Sequence, residues 1–231
     1  IREQVALLTA LGTSWADGMP ANEALQGTVD ELGHCNGVYG FLVGRPDGSH
    51  VTSQEYPSTW DPRTRDWYKS AVASDGVQFS DVYKNAADGA IIVTLSKAVR
   101  HNGELVAVIG TDVSVESLTG MLKDVHVGER GSIAVLGPKS EFIYHKKFQI
   151  DDAPLAEMNG GKYKELAAKF TSDKPQMIEE EFEGVQKFYQ TVPIPSTGWH
   201  VVIEVPQSEA FAAATKMFYT TVVICLLALA L

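Results

Sequence analysis

Residues 78–113 read QFSDVYKNAADGAIIVTLSKAVRHNGELVAVIGTDV, three apolar, β-branched runs at Gln78–Tyr83, Ala90–Val99 and Leu105–Val113. Asp88-Gly89 separates the first two, and His101-Asn102-Gly103 separates the second and third. Such pairs accept the positive φ angles of tight hairpin turns, so the stretch predicts an antiparallel meander. On its C-terminal side Ser114 predicts a helix cap, with Glu116 and Ser117 in the first turn of a helix reaching about Asp124. Upstream, Val38–Val43, the turn Pro46-Asp47-Gly48 and His50–Ser53 predict a hairpin. An irregular stretch, Glu55–Pro62, then leads to a helix over Arg65–Ala73. The order strand, strand, helix, three strands describes a sheet with helices against it, an α+β arrangement.

A second copy of that order starts at Gly131. Ser132–Leu136 and Phe142–His145 predict two strands around Gly137-Pro138-Lys139-Ser140, and Lys162–Phe170 a helix. Met177–Phe182, Gln186–Pro193 and Trp199–Val205 predict three strands joined at Glu183-Gly184 and Pro195-Ser196-Thr197-Gly198. The copies share little residue identity, yet one order occurring twice is an internal structural repeat. Before both copies, residues 1 to about 33 predict a helix broken at Gly18-Met19-Pro20, with Asn22 as cap of its second part.

The chain has 231 residues, 45% of them hydrophobic, which is enough for a core and rules out disorder, collagen and a coiled coil alone. With 19 Lys and Arg against 29 Asp and Glu, the net charge of -10 argues against nucleic acid or anionic lipid as a nonspecific partner. The uncharged stretch Met217–Leu231, MFYTTVVICLLALAL, stands apart. It is shorter than the about 20 residues of a membrane span, and from Val222 to Leu231 it lacks the recurring polar residues of a one-sided buried helix. We read it as the start of a truncated transmembrane helix entered from Ser208, and both chain ends as edges of a larger protein. Cys35 and Cys225 form no CxxC or disulfide framework, and the six histidines include no HExxH. No metal or cofactor is predicted. No nucleophile elbow, P-loop or paired-histidine motif is present either, so the chain does not read as an enzyme.

The densest group of unusual side chains is Trp60-Asp61-Pro62-Arg63-Thr64-Arg65-Asp66-Trp67-Tyr68. A guanidinium fork suits a carboxylate, and an indole N–H adds a donor beside an apolar wall. The plainer alternative is that Arg63 pairs with Asp61 or Asp66 while the tryptophans fill the core. Asp112 closes an apolar run, where a carboxylate needs hydrogen bonds or a cation. Either it caps the following helix or it meets a ligand ammonium. An Arg for a carboxylate and an Asp for an ammonium make a two-ended clamp with the chemistry of an α-amino acid.

The segment Trp60–Tyr68, the strand end Thr111-Asp112-Val113-Ser114 and the closing Ile194-Pro-Ser-Thr-Gly-Trp199 resemble the double Cache sensor domains of bacterial chemoreceptors and related transmembrane sensors. The resemblance covers nearly the whole chain. It implies a long N-terminal helix over 1–36 and a ligand-binding, membrane-distal PAS-like module over 37–125. A membrane-proximal PAS-like module, usually empty, follows over 126–207, and 208–231 form a C-terminal helix entering the membrane. It also implies that Arg65 takes a ligand carboxylate beside Trp67 and Tyr68, that Tyr83 is the strand-end tyrosine, and that Asp112 takes the ammonium. Two positions depart from the family pattern: Trp60 stands where tyrosine is usual, and Asn85 where an acidic residue is usual.

The resulting expectation is an extracytoplasmic or periplasmic sensor domain of a methyl-accepting chemotaxis protein in the cell membrane. It binds an amino acid or close analogue in the distal module and dimerises through its first helix. Two alternatives stay open. The same fold could bind an amine, an organic acid or a nucleobase, or feed a histidine kinase or a cyclic-dinucleotide enzyme. The ectodomain could instead serve only protein interaction.

Overall fold

The computed structural model describes residues 1–212 apart from 121 and 196, so the predicted membrane segment Met217–Leu231 lies outside the described residues. Among the described residues no helix is long and apolar enough to cross a membrane. The chain divides at residue 122 into two compact units.

The first unit begins with helices α1 (Arg2–Ala16) and α2 (Asn22–Gly33), broken at Gly18-Met19-Pro20 as the sequence predicts. Asn22 is not the cap of α2. Ala21 holds that position in extended backbone, and the Asn22 side-chain oxygen instead accepts from Arg45 Nε at 2.7 Å. Strands β1 (Gly40–Gly44), β2 (His50–Thr52), β3 (Gln78–Phe79), β4 (Tyr83–Lys84), β5 (Ile91–His101) and β6 (Glu104–Ser114) form one antiparallel sheet. Its order is β2-β1-β6-β5-β3, with β4 also on β5. Helix α3 (Asp66–Val72) follows β2, and α4 (Val115–Gly120) follows β6, where Ser117 N donates to the Ser114 hydroxyl at 3.3 Å. The cap is therefore Ser114, and Asp112 is free of that duty.

The predicted turn Asn102-Gly103 has φ of 49° and 87°, both positive, as a two-residue hairpin that follows the strand twist requires. The ladder then shifts by one residue between Val99 and Arg100. His101 faces Glu104, but beyond the bulge Thr94 faces Asp112. The predicted strand Gln78–Tyr83 is split in two. Ser80 N donates to Thr94 O, and the Ser80 hydroxyl accepts from Thr94 N at 2.9 Å, so a side chain takes over the ladder bond while the chain peels away and returns at Tyr83.

Strand alternation sorts the two faces of the sheet. A methyl at Gly12 of α1 would sit 2.9 Å from Lys97 Cε, which places α1 on the face of Lys97. On the opposite face the Ser96 hydroxyl donates to the Trp67 carbonyl at 2.8 Å, which holds α3 there. Leu42, Trp67, Tyr68, Ala71 and Val108 make the core of that face. Gly110 makes room for it, since a Cβ there would lie 3.3 Å from Thr94 Cγ2 and 3.6 Å from Trp67 Cε3.

The second unit repeats the plan. Strands β7 (Ser132–Leu136), β8 (Phe142–Tyr144), β9 (Gln176–Phe182), β10 (Val185–Ile194) and β11 (Trp199–Pro206) pair in the order β8-β7-β11-β10-β9. In both units the first strand lies between the second and the last, which is the predicted repeat at the level of topology. The helix Lys164–Phe170 covers this sheet, and its Leu166 and Phe170 join Leu136, Phe142, Phe182 and Tyr189 in a separate core.

Candidate functional site

Asp61 accepts from Arg63 N at 2.9 Å and so caps a single 3-10 turn, Pro62–Thr64. The same carboxylate holds the Arg63 guanidinium at 2.7 Å, the local pairing foreseen for this segment. Arg65 comes next, in extended backbone as the residue that precedes α3, and its guanidinium lies over the Tyr83 ring at 5.4 Å from the centroid. Arg65, Trp67, Ser80, Asp81 and Tyr83 line a recess of about 160 Å³. Trp67 and Tyr68 themselves are core residues, 2% and 5% exposed. The Tyr68 hydroxyl is buried without a hydrogen-bond partner among the described residues.

The other end of the site is built on the sheet. Asp112 sits in β6 between Gly40 of β1 and Thr94 of β5, and its side chain is wholly buried at 0% exposure. The Thr94 hydroxyl donates to its Oδ1 at 2.6 Å, and the Tyr56 hydroxyl stands 3.5 Å from its Oδ2. Burial is the main cause that raises the Asp112 carboxyl to about 7, while the two hydroxyls and the Arg65 charge pull the other way. Burial first, and the Asp112 charge second, push the phenols of Tyr56 and Tyr83 above their usual range.

Tyr83 links the two ends. Its hydroxyl is 2.5 Å from the Thr94 hydroxyl. With Asp112 ionised, Thr94 gives its one hydrogen to the carboxylate, and Tyr83 is the donor in that pair. A chain of contacts thus runs from Arg65 through Tyr83 and Thr94 to Asp112.

Asn85 is buried, and its Nδ2 donates to Gln54 Oε1 at 2.8 Å, while its Oδ1 accepts from Ala87 N at 3.1 Å. Trp60 stacks on Tyr56 with ring centroids 4.3 Å apart and meets His50 edge-on at 5.0 Å. The structure therefore gathers Asp112, Asn85, Tyr83 and, through Tyr56, Trp60 around one sheet end, with Arg65 across Tyr83. Thr94, Tyr56 and Gln54 belong to the same group, and sequence reasoning did not find them. For Thr94 the available signal was a hydroxyl amino acid in an apolar run, which Ser96 two residues on shares. Gln54 and Tyr56 fall in or beside the stretch read as irregular. No group of three or more potential metal ligands is present among the described residues.

Two tandem antiparallel modules of the same strand order, the first with an arginine and a buried aspartate on either side of a tyrosine, define the class: a paired sensor-type binding fold. The chain belongs to the Cache domain family, whose double Cache profile, dCache_1, matches residues 5–214. Among curated relatives, a probable methyl-accepting chemotaxis protein of Bacillus thuringiensis subsp. konkukian is 23% identical over 209 residues, 87% of this chain. The chain spans 30% of that relative's length. Among solved structures, the ligand-binding domain of the Pseudomonas fluorescens chemoreceptor CtaA in complex with L-isoleucine superposes with a TM-score of 0.72 at 20% identity, covering 92% of this chain and 87% of that one. The ligand-binding domain of the Pseudomonas aeruginosa PAO1 amino acid chemoreceptor PctB in complex with L-Gln gives 0.74 at 18% identity, covering 97% and 90%.

Proposed function

We propose that the chain is the sensing portion of a methyl-accepting chemotaxis receptor and that it binds an amino acid in its first unit. The observation that carries this reading is the buried Asp112 carboxyl, held by the Thr94 and Tyr56 hydroxyls, with the Arg65 guanidinium on the far side of Tyr83. Arg65 takes the ligand carboxylate as a charge-assisted pair. Asp112 takes the ammonium, exchanging a costly buried charge for a paired one. Tyr83 and Trp60 supply the walls, Asn85 borders the ammonium end, and Trp67 and Tyr68 hold α3 in place beneath Arg65. Both solved domains named above carry amino acids. In this reading the domain faces the extracytoplasmic side of the cell membrane, pairs through its first helix and continues into the membrane at Met217–Leu231. It transmits a ligand-driven shift of population and is not an enzyme.

Isothermal calorimetry on the soluble domain, screened with the twenty proteinogenic L-amino acids, tests the clamp. We expect Arg65→Ala to abolish binding of the best ligand, and an unchanged affinity sinks the assignment. A second reading, an amine ligand, draws support from the Tyr56–Trp60 stack beside Asp112, since aromatic faces attract cations. A thermal-shift screen in which amines alone stabilise the domain selects that reading over the first.

A further inference from the structure

We propose that Gln54 is a second, uncharged acceptor for the ligand ammonium, locked in place by Asn85, and that this pair tunes the site to zwitterions rather than to cations. The inference rests on the amino-acid reading above and adds a residue that no motif marked.

The orientation of both amides is fixed by backbone groups that have only one role each. Gln54 Nε2 donates to the Tyr39 carbonyl at 3.0 Å, and a carbonyl can only accept. Asn85 Oδ1 accepts from Ala87 N–H at 3.1 Å, and an amide N–H can only donate. These two anchors leave Asn85 Nδ2 facing Gln54 Oε1, which it meets at 2.8 Å. Turning either amide over would set oxygen against oxygen or N–H against N–H. Gln54 therefore presents an oxygen, and an oxygen has a second lone pair to offer.

That oxygen lies beside the aspartate. Tyr56 Oη is 3.4 Å from Gln54 Oε1 and 3.5 Å from Asp112 Oδ2, both long for O–H···O bonds. Gly40 lies under the pair, for a Cβ there would be 2.9 Å from Gln54 Oε1 and 3.4 Å from Asp112 Oδ2. The phenol has one hydrogen for two acceptors, so the group as it stands is short of donors. A primary ammonium brings three, one for each of Asp112 Oδ2, Gln54 Oε1 and the Tyr56 oxygen.

The charge count sets the selectivity. Asn85 contributes an amide where a carboxylate would add a second negative charge, and Gln54 contributes an acceptor without a charge. Asp112 is then the carboxylate that faces the ammonium, with Asp88 acting on it only through space, and Arg65 is the cation of the opposite end, where Asp81 also lines the recess. A ligand with one charge of each sign matches both ends. An amine without a carboxylate brings no anion to the Arg65 guanidinium.

The test uses the soluble domain at pH 8 and three proteins: the parent, Gln54→Met and Gln54→Glu. Calorimetry reads the affinity for the best-binding L-amino acid and for the amine left when its α-carboxylate is removed. We expect Gln54→Met to weaken the amino acid at least tenfold, and Gln54→Glu to shift the amine-to-amino-acid affinity ratio at least tenfold toward the amine. A Gln54→Met domain that keeps the parent's affinity overturns the inference. Should Gln54→Met fail to fold, a folded Gln54→Glu domain with an unchanged ratio overturns it as well, because a purely structural residue would move both ligands alike. If no L-amino acid binds the parent, it is the amino-acid reading itself that fails, a result distinct from either of these.

Discussion

Replacing Asp112 by Asn should make the ligand-free protein more stable at neutral and alkaline pH. The folded carboxyl holds its proton up to about pH 7, against 3.8 for an ordinary aspartate. Below pH 4 both folded and unfolded chains are protonated at this position, and the side chain costs the fold nothing extra. Between pH 4 and 7 the unfolded chain has lost the proton while the folded one still keeps it. Stability therefore falls with rising pH at about 1.36 kcal/mol per unit, and levels off above pH 7. The separation of about three units corresponds to roughly 4 kcal/mol. Asn has nearly the same shape, still accepts from the Thr94 hydroxyl, and can donate toward Tyr56. Urea unfolding of parent and Asp112→Asn, without ligand, should coincide near pH 4 and differ by up to about 4 kcal/mol at pH 8 in favour of the variant. Amino-acid binding by the variant should be lost at the same time. If the variant is no more stable than the parent at pH 8 and the two pH profiles are parallel, Asp112 is not the strained buried acid described here.

Three further outcomes follow from the packing. Tyr83→Phe removes the donor to Thr94 and should weaken the ligand by about 0.5–1.5 kcal/mol, a few-fold to about tenfold in Kd by calorimetry, with little change in unfolding midpoint. Trp67→Ala empties the space over Gly110 and should destabilise the first unit by about 3–5 kcal/mol in denaturant unfolding. Phe170→Ala, in the separate core of the second unit, should cost a similar about 3–5 kcal/mol there, yet leave the ligand Kd unchanged at temperatures where the domain is folded.

Much of the architecture was legible because its signals are local. Asn102-Gly103 and Glu183-Gly184 mark two hairpins, and all four residues carry positive φ. The Gly18-Met19-Pro20 break and both five-strand patterns also follow from turn chemistry and β-branched runs. At the candidate site, Arg65, Tyr83 and Asp112 were singled out through the family resemblance. Asp112 is also anomalous on its own, as a carboxylate at the end of an apolar strand. Its partner was not legible. Counting back from the Asn102-Gly103 turn in a regular hairpin sets Val93 opposite Asp112, and only the one-residue shift at Val99/Arg100 substitutes Thr94. A bulge of this kind leaves no periodic trace in the residues that flank it. Gln54 and Tyr56 were hidden for a different reason. Tyr56 reaches Asp112 across 56 positions of sequence, and Gln54 joins it through Tyr56 and Asn85, from a stretch without regular spacing, so no pattern within the stretch could point to their target.

The single hydrogen of the Thr94 hydroxyl makes the path between Tyr83 and Asp112 directional. With Asp112 ionised, the path points from the phenol to the carboxylate. With Asp112 protonated, the acid can become the donor, and the sequence of donors reverses to run from Asp112 through Thr94 to the Tyr83 oxygen. An ammonium bound at Asp112 as proposed would thereby fix the polarity of the Tyr83 hydroxyl, whose ring lies under the Arg65 guanidinium. In the proposed site the two halves of a ligand would then be read as one event, through a wire two hydroxyls long.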